Sequence, residues 1–331
     1  MLELGKELEN EQEASCFHLV YDSAPRYVND HCFVTAKDGT FHLFHIVGPV
    51  GKGCYDEGSE ITFGHASSRG LLTWIPHPDV LSVQPESLHE PHHIFAPFVV
   101  ERNGVYHLFY AGINQQRQAE SLCLATSRDL YSWVKFPANP IFRPSIHWAE
   151  YRPGSGVWAC CRDPHILPHP EFGYIMYYVT WMKGTNANLV AIGAAVSDNL
   201  LSWQDAGPVM IREMAWEEST ASMESPCVVA RNGRYYLFYK HRNATRLVVS
   251  DDPLSFTKMR DIRFSIAHAA KVFEADEQWF ISSCSRDLTD LWHDRSDRTR
   301  GLYLARLTWD DGLPELAPFC HLYRQGGSEN G

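Results

Sequence analysis

The sequence predicts an all-β fold, a five-bladed β-propeller with four antiparallel strands per blade. Three observations carry this prediction. First, a serine recurs six residues before an aromatic, as Ser68 to Trp74, Ser127 to Trp133, Ser197 to Trp203 and Ser250 to Phe256. Second, each copy follows a tight turn and a run of alternating aromatics, as in Asn103-Gly104-Val105-Tyr106-His107-Leu108-Phe109-Tyr110. Third, no linker-like run of proline and serine divides the 331 residues, so the repeat outweighs the two-domain prior that this length would allow. A β-sandwich has similar strand content but does not call for phrases that recur along the whole chain.

The units follow in order. Asp38-Gly39, Asn103-Gly104 and Asn232-Gly233 supply the positive φ that tight hairpins need, and Phe172-Gly173 is a looser copy. Aromatic and β-branched runs fit the strands on either side. Each unit therefore reads as an apolar strand, a turn, an aromatic strand, a loop, a third strand ending in serine, and a fourth strand opened by the tryptophan. A fifth unit fits Ala269–Phe273, a turn at Asp276-Glu277, Gln278–Ile281 and Gly301–Leu307, interrupted by a polar insertion over 285–300. The blades span roughly 28–80, 93–145, 160–212, 222–262 and 266–320, and residues 14–22 are placed to pair with the last blade and fasten the ring. Trp74, Trp133 and Trp203 are expected in the packing between blades.

Composition narrows the function classes. Formal net charge is −11, hydrophobic residues make up 44%, and no basic stripe appears, which argues against nucleic acid and anionic membranes as partners. No apolar run reaches membrane-spanning length. The first thirteen residues are acidic and lack the apolar core of a secretory signal, so a cytoplasmic location is expected, with prior removal of a leader left open. Nine cysteines form no metal-site spacing and read as reduced thiols.

The chemistry is expected where inner strands begin at the central channel. There the chain has Asn29-Asp30-His31 in blade one, Cys161-Arg162-Asp163-Pro164 in blade three and Met223-Glu224-Ser225-Pro226 in blade four. Asp30, Asp163 and Glu224 fall at matching distances from the following turn, so three carboxylates converge at one mouth. Blade two offers Phe95-Ala96-Pro97 and blade five Ala267-His268-Ala269. Like charges held close push one pKa up, which gives one protonated acid beside one anion. Cleavage of a glycosidic bond needs that division. The longer reach of glutamate favours Glu224 as proton donor and Asp30 as nucleophile or base. Asp163 would hold sugar hydroxyls and temper Glu224, and Arg162 would fork onto a carboxylate or paired hydroxyls.

At these residues the chain resembles the five-bladed propeller glycoside hydrolases of families 32, 68 and 43, and most of all family 32. Asn29-Asp30 resembles the start of its Asn-Asp-Pro-Asn-Gly motif, Arg162-Asp163-Pro164 its Arg-Asp-Pro motif, Glu224-Ser225-Pro226 its Glu-Cys-Pro motif, and Phe63-Gly64-His65-Ala66 its Trp-Gly-His-Ala stretch. The resemblance implies Asp30 as nucleophile, or as general base if family 43 is the truer relative. It implies Glu224 as acid/base and Asp163 as transition-state stabiliser. His31-Cys32-Phe33 replaces the Pro-Asn-Gly of the first motif, so the sugar contacts there must differ. Many family 32 enzymes also carry a C-terminal β-sandwich, for which this sequence has no counterpart. The expected activity is hydrolysis of a terminal furanoside of fructose or arabinose type. The alternatives are an inverting family 43-like arabinofuranosidase or xylosidase, and a catalytically inactive sugar-binding propeller.

Asn29, Arg162, Phe95, Trp158 and His268 are the candidate substrate contacts, with Trp181 and Trp292 as further aromatics near loops. Sugar rings present C–H faces that stack on such side chains, although core packing explains any one of them as well. His31, His93, His165 and His268 all lie at inner-strand starts. No two have the spacing of a ligand pair, and no cofactor is required, but family 43 implies a structural calcium or water in the channel near His268. A small carbohydrate is the expected partner. Loops 48–60, 112–120, 143–158 and 285–300 are expected to shape the pocket.

Overall fold

The computed structural model describes residues 10–214, 223–242, 244–257, 261–285, 300–310 and 312–319. Trp292 and nearly all of the 285–300 insertion lie outside them. A short helix over residues 10–16 leads into β1 (His18–Tyr21). Blade one is β2 (Arg26–Thr35), β3 (Phe41–Pro49), β4 (Thr62–Ser68) and β5 (Ile75–Ser82). Blade two is β6 (His93–Arg102), β7 (Val105–Asn114), β8 (Ala119–Ser127) and β9 (Val134–Lys135). Blade three is β10 (Arg162–His169), β11 (Gly173–Trp181), β12 (Leu189–Ser197) and β13 (Gln204–Glu213). Blade four is β14 (Glu224–Arg231), β15 (Arg234–Lys240), β16 (Thr245–Ser250) and β17 (Ile262–Ser265). Blade five is β18 (Val272–Ala275), β19 (Gln278–Ser283) and β20 (Leu302–Asp310), with its outer edge filled by β1 and by β21 (Leu313–Ala317). β1 pairs with Leu302–Leu304 and β21 with Arg306–Asp310, so strands from opposite ends of the chain share one edge and leave little of it open.

Local chemistry explains the turns. Asn103 and Gly104, with φ of 53° and 77°, connect the paired residues Arg102 and Val105. Two successive left-handed residues make the turn whose twist matches the flanking strands. Asn232 and Gly233 repeat it at 51° and 74°. Asp276 and Glu277 make the same turn without glycine, at 49° and 61°.

The serine–aromatic phrase is a built corner. Ser127 Oγ accepts the Leu130 N–H at 2.9 Å, and Ser197 Oγ accepts that of Leu200 at 2.9 Å. Leu71, Leu130 and Leu200 sit left-handed at 62°, 68° and 67°. Their carbonyls accept the indole N–H of Trp74, Trp133 and Trp203 at 2.9, 3.2 and 3.2 Å. The indole is thereby aimed at the preceding blade. Trp133 meets Phe44 edge-on at 5.4 Å and Trp203 meets Phe109 at 5.7 Å, while Phe256 meets Tyr177 at 6.4 Å. Trp74 packs with Phe280, Leu302 and Leu304 of blade five. Burial of each such aromatic contributes about 1.5–3 kcal/mol, and the tryptophans lie in the inter-blade packing, as their place in the repeat suggests.

Candidate active site

One backbone device recurs at the start of every inner strand. The strand advances three residues where its neighbour advances two: Val28–His31 against Val47–His45, Phe95–Phe98 against Ala111–Phe109, Arg162–His165 against Val179–Tyr177, and Glu224–Cys227 against Lys240–Phe238. In blade five the bonds from Cys284 N to His268 O and from Ser282 N to Lys271 O set the same step. Such a bulge bends the strand and re-aims its side chains, here at the channel mouth. In four blades the extra residue is left-handed: Ala96 (49°), Asp163 (56°), Ser225 (52°) and Ala269 (51°).

The blades can be aligned on Phe44, Phe109, Tyr177 and Phe238, the aromatics at one level of the second strand, which face Cys32, Phe98, His165 and Cys227. This corrects the expectation that the three acids share one position. Asp30 and Asp163 coincide, together with Ala96, Ser225 and Ala269. Glu224 stands one residue earlier, level with Asn29, Phe95, Arg162 and His268. The site is therefore two stacked tiers. The glycine-to-acid spacing misled because the looser turn of blade three and the longer turn of blade one offset the count.

Blade four ties the acids together. Ser225 donates its hydroxyl to Asp30 Oδ1 at 2.8 Å and its backbone N–H to Asp163 Oδ2 at 2.9 Å. Arg162 is surrounded by partners: Nε is 3.6 Å from Asp163, Nη2 is 3.5 Å from Glu224, Nη1 is 3.4 Å from both Glu120 and Cys160 Sγ, and the guanidinium lies 5.9 Å over the Trp181 ring. Lys240, directly opposite Glu224 in the β14–β15 ladder and only 1% exposed, donates to Glu224 Oε2 at 2.9 Å.

These contacts divide the protons differently from the expectation. Burial pushes Glu224 up, but Lys240, Arg162 and the other neighbours more than offset it and hold the carboxyl at about 2. Burial raises Asp163, Arg162 opposes this, and the charges of Asp30 and Glu224 add to the rise, leaving it at about 7. Asp30 is also raised, chiefly by burial, against the pull of Lys271 and the Ser225 hydroxyl. These shifts favour a proton on Asp163 over one on Glu224, whose carboxyl the two cations hold ionised. A glutamate's reach said nothing about the lysine across the hairpin.

The other anticipated residues are distributed as follows. Asn29 donates to Glu60 Oε1 at 3.4 Å and accepts from Cys284 Sγ at 3.6 Å. His268 is buried, its Nδ1 has no hydrogen-bond partner among the described residues, and burial together with Lys240 and Arg300 favours the neutral ring. Phe95 and Trp158 both meet Tyr55, each at 5.7 Å. Tyr55 belongs to the 48–60 loop and also meets His93 at 5.8 Å. Trp181 lies in the core beneath Arg162. The four histidines take separate hydrogen-bonding roles, although His31 lies near enough to His268 to disfavour its charge. His31 Nε2 bonds Ser282 Oγ, His165 Nε2 bonds the backbone of Val228, and His93 Nδ1 bonds Ser59 O. Among the described residues no three His, Cys, Asp or Glu side chains are arranged to hold a metal ion.

Residues that motif reading missed are Glu120, Lys240, Tyr55, Lys271 and Glu60. Lys240 had a readable signal: counting back from the Asn232-Gly233 turn, with one residue allowed for the bulge, sets it opposite Glu224. Glu120 and Tyr55 come from a third strand and a long loop, where no repeat marks them.

In fold the chain is similar to five-bladed propellers of glycoside hydrolase families 32 and 43. Sucrose-6-phosphate hydrolase of Lactobacillus gasseri is similar over 95% of this chain and 66% of its own, with a TM-score of 0.71 and 18% identity. The family 32 β-fructofuranosidase BmSUC1 of Bombyx mori is similar over 96% of this chain and 68% of its own, with a TM-score of 0.67 and 17% identity. A thermostable family 43 glycoside hydrolase is similar over 88% and 93%, with a TM-score of 0.62 and 16% identity. Within that class, residues 21–173 match the Glycosyl hydrolases family 32 N-terminal domain, so the family 32 resemblance of the Asn29-Asp30 and Arg162-Asp163 motifs lies within a matched stretch. Sucrose:sucrose 1-fructosyltransferase of Festuca arundinacea is 31% identical over 150 residues, which cover 43% of this chain and 22% of that protein. The 6(G)-fructosyltransferase of Asparagus officinalis is 26% identical over 151 residues, covering 43% and 23%. The match thus spans under a quarter of either curated relative.

Proposed function

We propose that the chain is a glycoside hydrolase that cleaves a terminal furanoside, of fructose or arabinose type, at the mouth of its channel. The observation that carries this is the meeting of Asp30, Asp163 and Glu224, from three different blades, around Ser225 and Arg162. Related folds hold small sugars: a BmSUC1 mutant is in complex with sucrose, and fructan 1-exohydrolase IIa of Cichorium intybus with 1-kestose. A small carbohydrate is accordingly the proposed partner. Tyr55, Phe95 and Trp158 give it an aromatic wall.

In this reading Asp30 attacks the anomeric carbon, or activates water in a family 43-like inverting variant. Asp163 and Arg162 hold the sugar hydroxyls. Glu224 carries the leaving oxygen's proton. Since Lys240 holds Glu224 as an anion at rest, the donor step requires a proton to pass from Asp163 to Glu224 as substrate draws Arg162 or Lys240 away, with Asp30 ionised for its attack. A second reading is favoured by the Asp163 carboxyl at about 7, which makes Asp163 the donor and Glu224 the fixed charge.

Leaving groups separate the two. A phenol acidic enough to depart unaided needs no donor. Glu224→Gln is expected to keep most of its kcat/KM on dinitrophenyl furanosides and to lose about 10²–10⁴-fold in kcat/KM on fructosyl or arabinosyl disaccharides. The same pattern in Asp163→Asn instead assigns the donor to Asp163. Wild-type protein that binds these sugars yet cleaves none of them overturns the hydrolase and leaves a sugar-binding propeller.

A further inference from the structure

In blade four the motif reads Glu-Ser-Pro where the family 32 pattern has Glu-Cys-Pro, and the exchanged residue touches the reaction centre. Ser225 is 4% exposed and occupies the tier position that Asp30 and Asp163 hold in their own blades. Its left-handed backbone, at 52°, turns the N–H toward Asp163 and the side chain toward Asp30. One residue of a third blade thus contacts two carboxylates through chemically separate groups. Only the hydroxyl contact depends on the side chain.

We propose that Ser225 is a positioning residue for Asp30. Its hydroxyl engages Oδ1, which fixes the carboxylate's rotation and leaves Oδ2 as the oxygen presented to the sugar. The contact also favours the ionised form, because a hydroxyl donates more strongly to a carboxylate than to a neutral acid. A thiol in the same place is a weak donor with a longer reach and would hold Asp30 less firmly. Other groups act on Asp30 from the surrounding elements. Glu224 on β14 and Asp163 on β10 oppose its charge, while Lys240 on β15 and Lys271 just before β18 support it. Cys284 after β19 is close enough to sense that charge. Ser225 supplies the hydrogen bond to Asp30 that none of these charges provides.

The proposal uses the furanosidase reading for its kinetic readout, so the test has a second readout independent of it. Ser225→Ala keeps the backbone bond to Asp163 and deletes the hydroxyl. The expected result is a fall in kcat of about 10- to 100-fold, the range for a hydrogen bond to a charged group. KM should stay within about threefold, and the acidic limb of the kcat/KM profile should move upward by about one pH unit. Ser225→Cys should fall between wild type and Ser225→Ala, and it serves as the test variant if the alanine protein does not fold. The second readout is Tm against pH. Wild type should exceed the variant while Asp30 is ionised, and the gap should narrow as falling pH protonates it. Wild-type kcat and an unmoved acidic limb in Ser225→Ala, with parallel Tm curves, overturn the proposal. An inactive wild type whose Tm gap still narrows with pH overturns the furanosidase reading and leaves the Ser225–Asp30 contact standing.

Discussion

The blade interfaces and the channel mouth are built on the same repeat, yet they use it in opposite ways. At the interfaces the repeat keeps its residues: a serine corner, a left-handed leucine, and an indole set against the neighbouring aromatic. At the mouth the repeat keeps only its backbone. A bulge at the start of each inner strand, set one residue earlier in blade one, presents Asn-Asp, Phe-Ala, Arg-Asp, Glu-Ser and His-Ala in successive blades. Packing asks every blade for one shape, so one solution recurs. Recognition of an asymmetric ligand asks each blade for a different group, so the scaffold is held and the side chains vary. The left-handed residues show the separation. Ala96 carries the same backbone conformation as Asp163, with a methyl in place of a carboxyl.

The comparison can be broken most forcefully at an interface. Phe109→Ala removes a fully buried ring that receives Trp203, and it should destabilise the protein by about 3–5 kcal/mol. Chemical denaturation should report that loss with little dependence on pH. A change below about 1 kcal/mol would mean that the interfaces are not where the stability lies.

At the mouth the expected effect is smaller and depends on pH. The folded protein keeps a proton on Asp163 up to about pH 7, whereas the unfolded chain has released it near 4. Stability from this group is therefore present at low pH and lost as pH rises through that window. Asp163→Asn does not titrate. Its Tm relative to wild type should climb between about pH 4 and 7, corresponding to on the order of 2–4 kcal/mol, even as activity is lost. Parallel Tm curves would show that Asp163 is already ionised in the fold. The smallest effect belongs to the turns. Gly104→Ala meets only the flexible end of Lys37 but must hold φ at +77°, which costs about 1 kcal/mol. A larger loss would point to a role for that turn beyond its geometry.

The same division explains what was readable in the sequence. Turn glycines, alternating aromatics and the serine–tryptophan spacing are local signals, and they were enough for five blades and for which strand of each brings the candidate residues to the channel mouth. Asp30, Arg162, Asp163 and Glu224 were legible because they stand in short motifs at strand starts. The charge state of Glu224 was not, because Lys240 lies across a hairpin whose register is displaced by the bulge. Glu120 was invisible for a related reason: it reaches Arg162 from the neighbouring blade, and nothing local in β8 marks it.

The shared outer edge of blade five bears on how the molecule is made. β1 is synthesised first, but its partner β20 emerges only after four complete blades. While the ribosome works, each finished blade can fold on its predecessor, as domains tend to form from the N-terminus onward. The β1 segment must wait for this partner until β20 has been translated. Ring closure is thus a late step joining residues almost three hundred apart, and a mutation that slows it would leave four sound blades and an open gap.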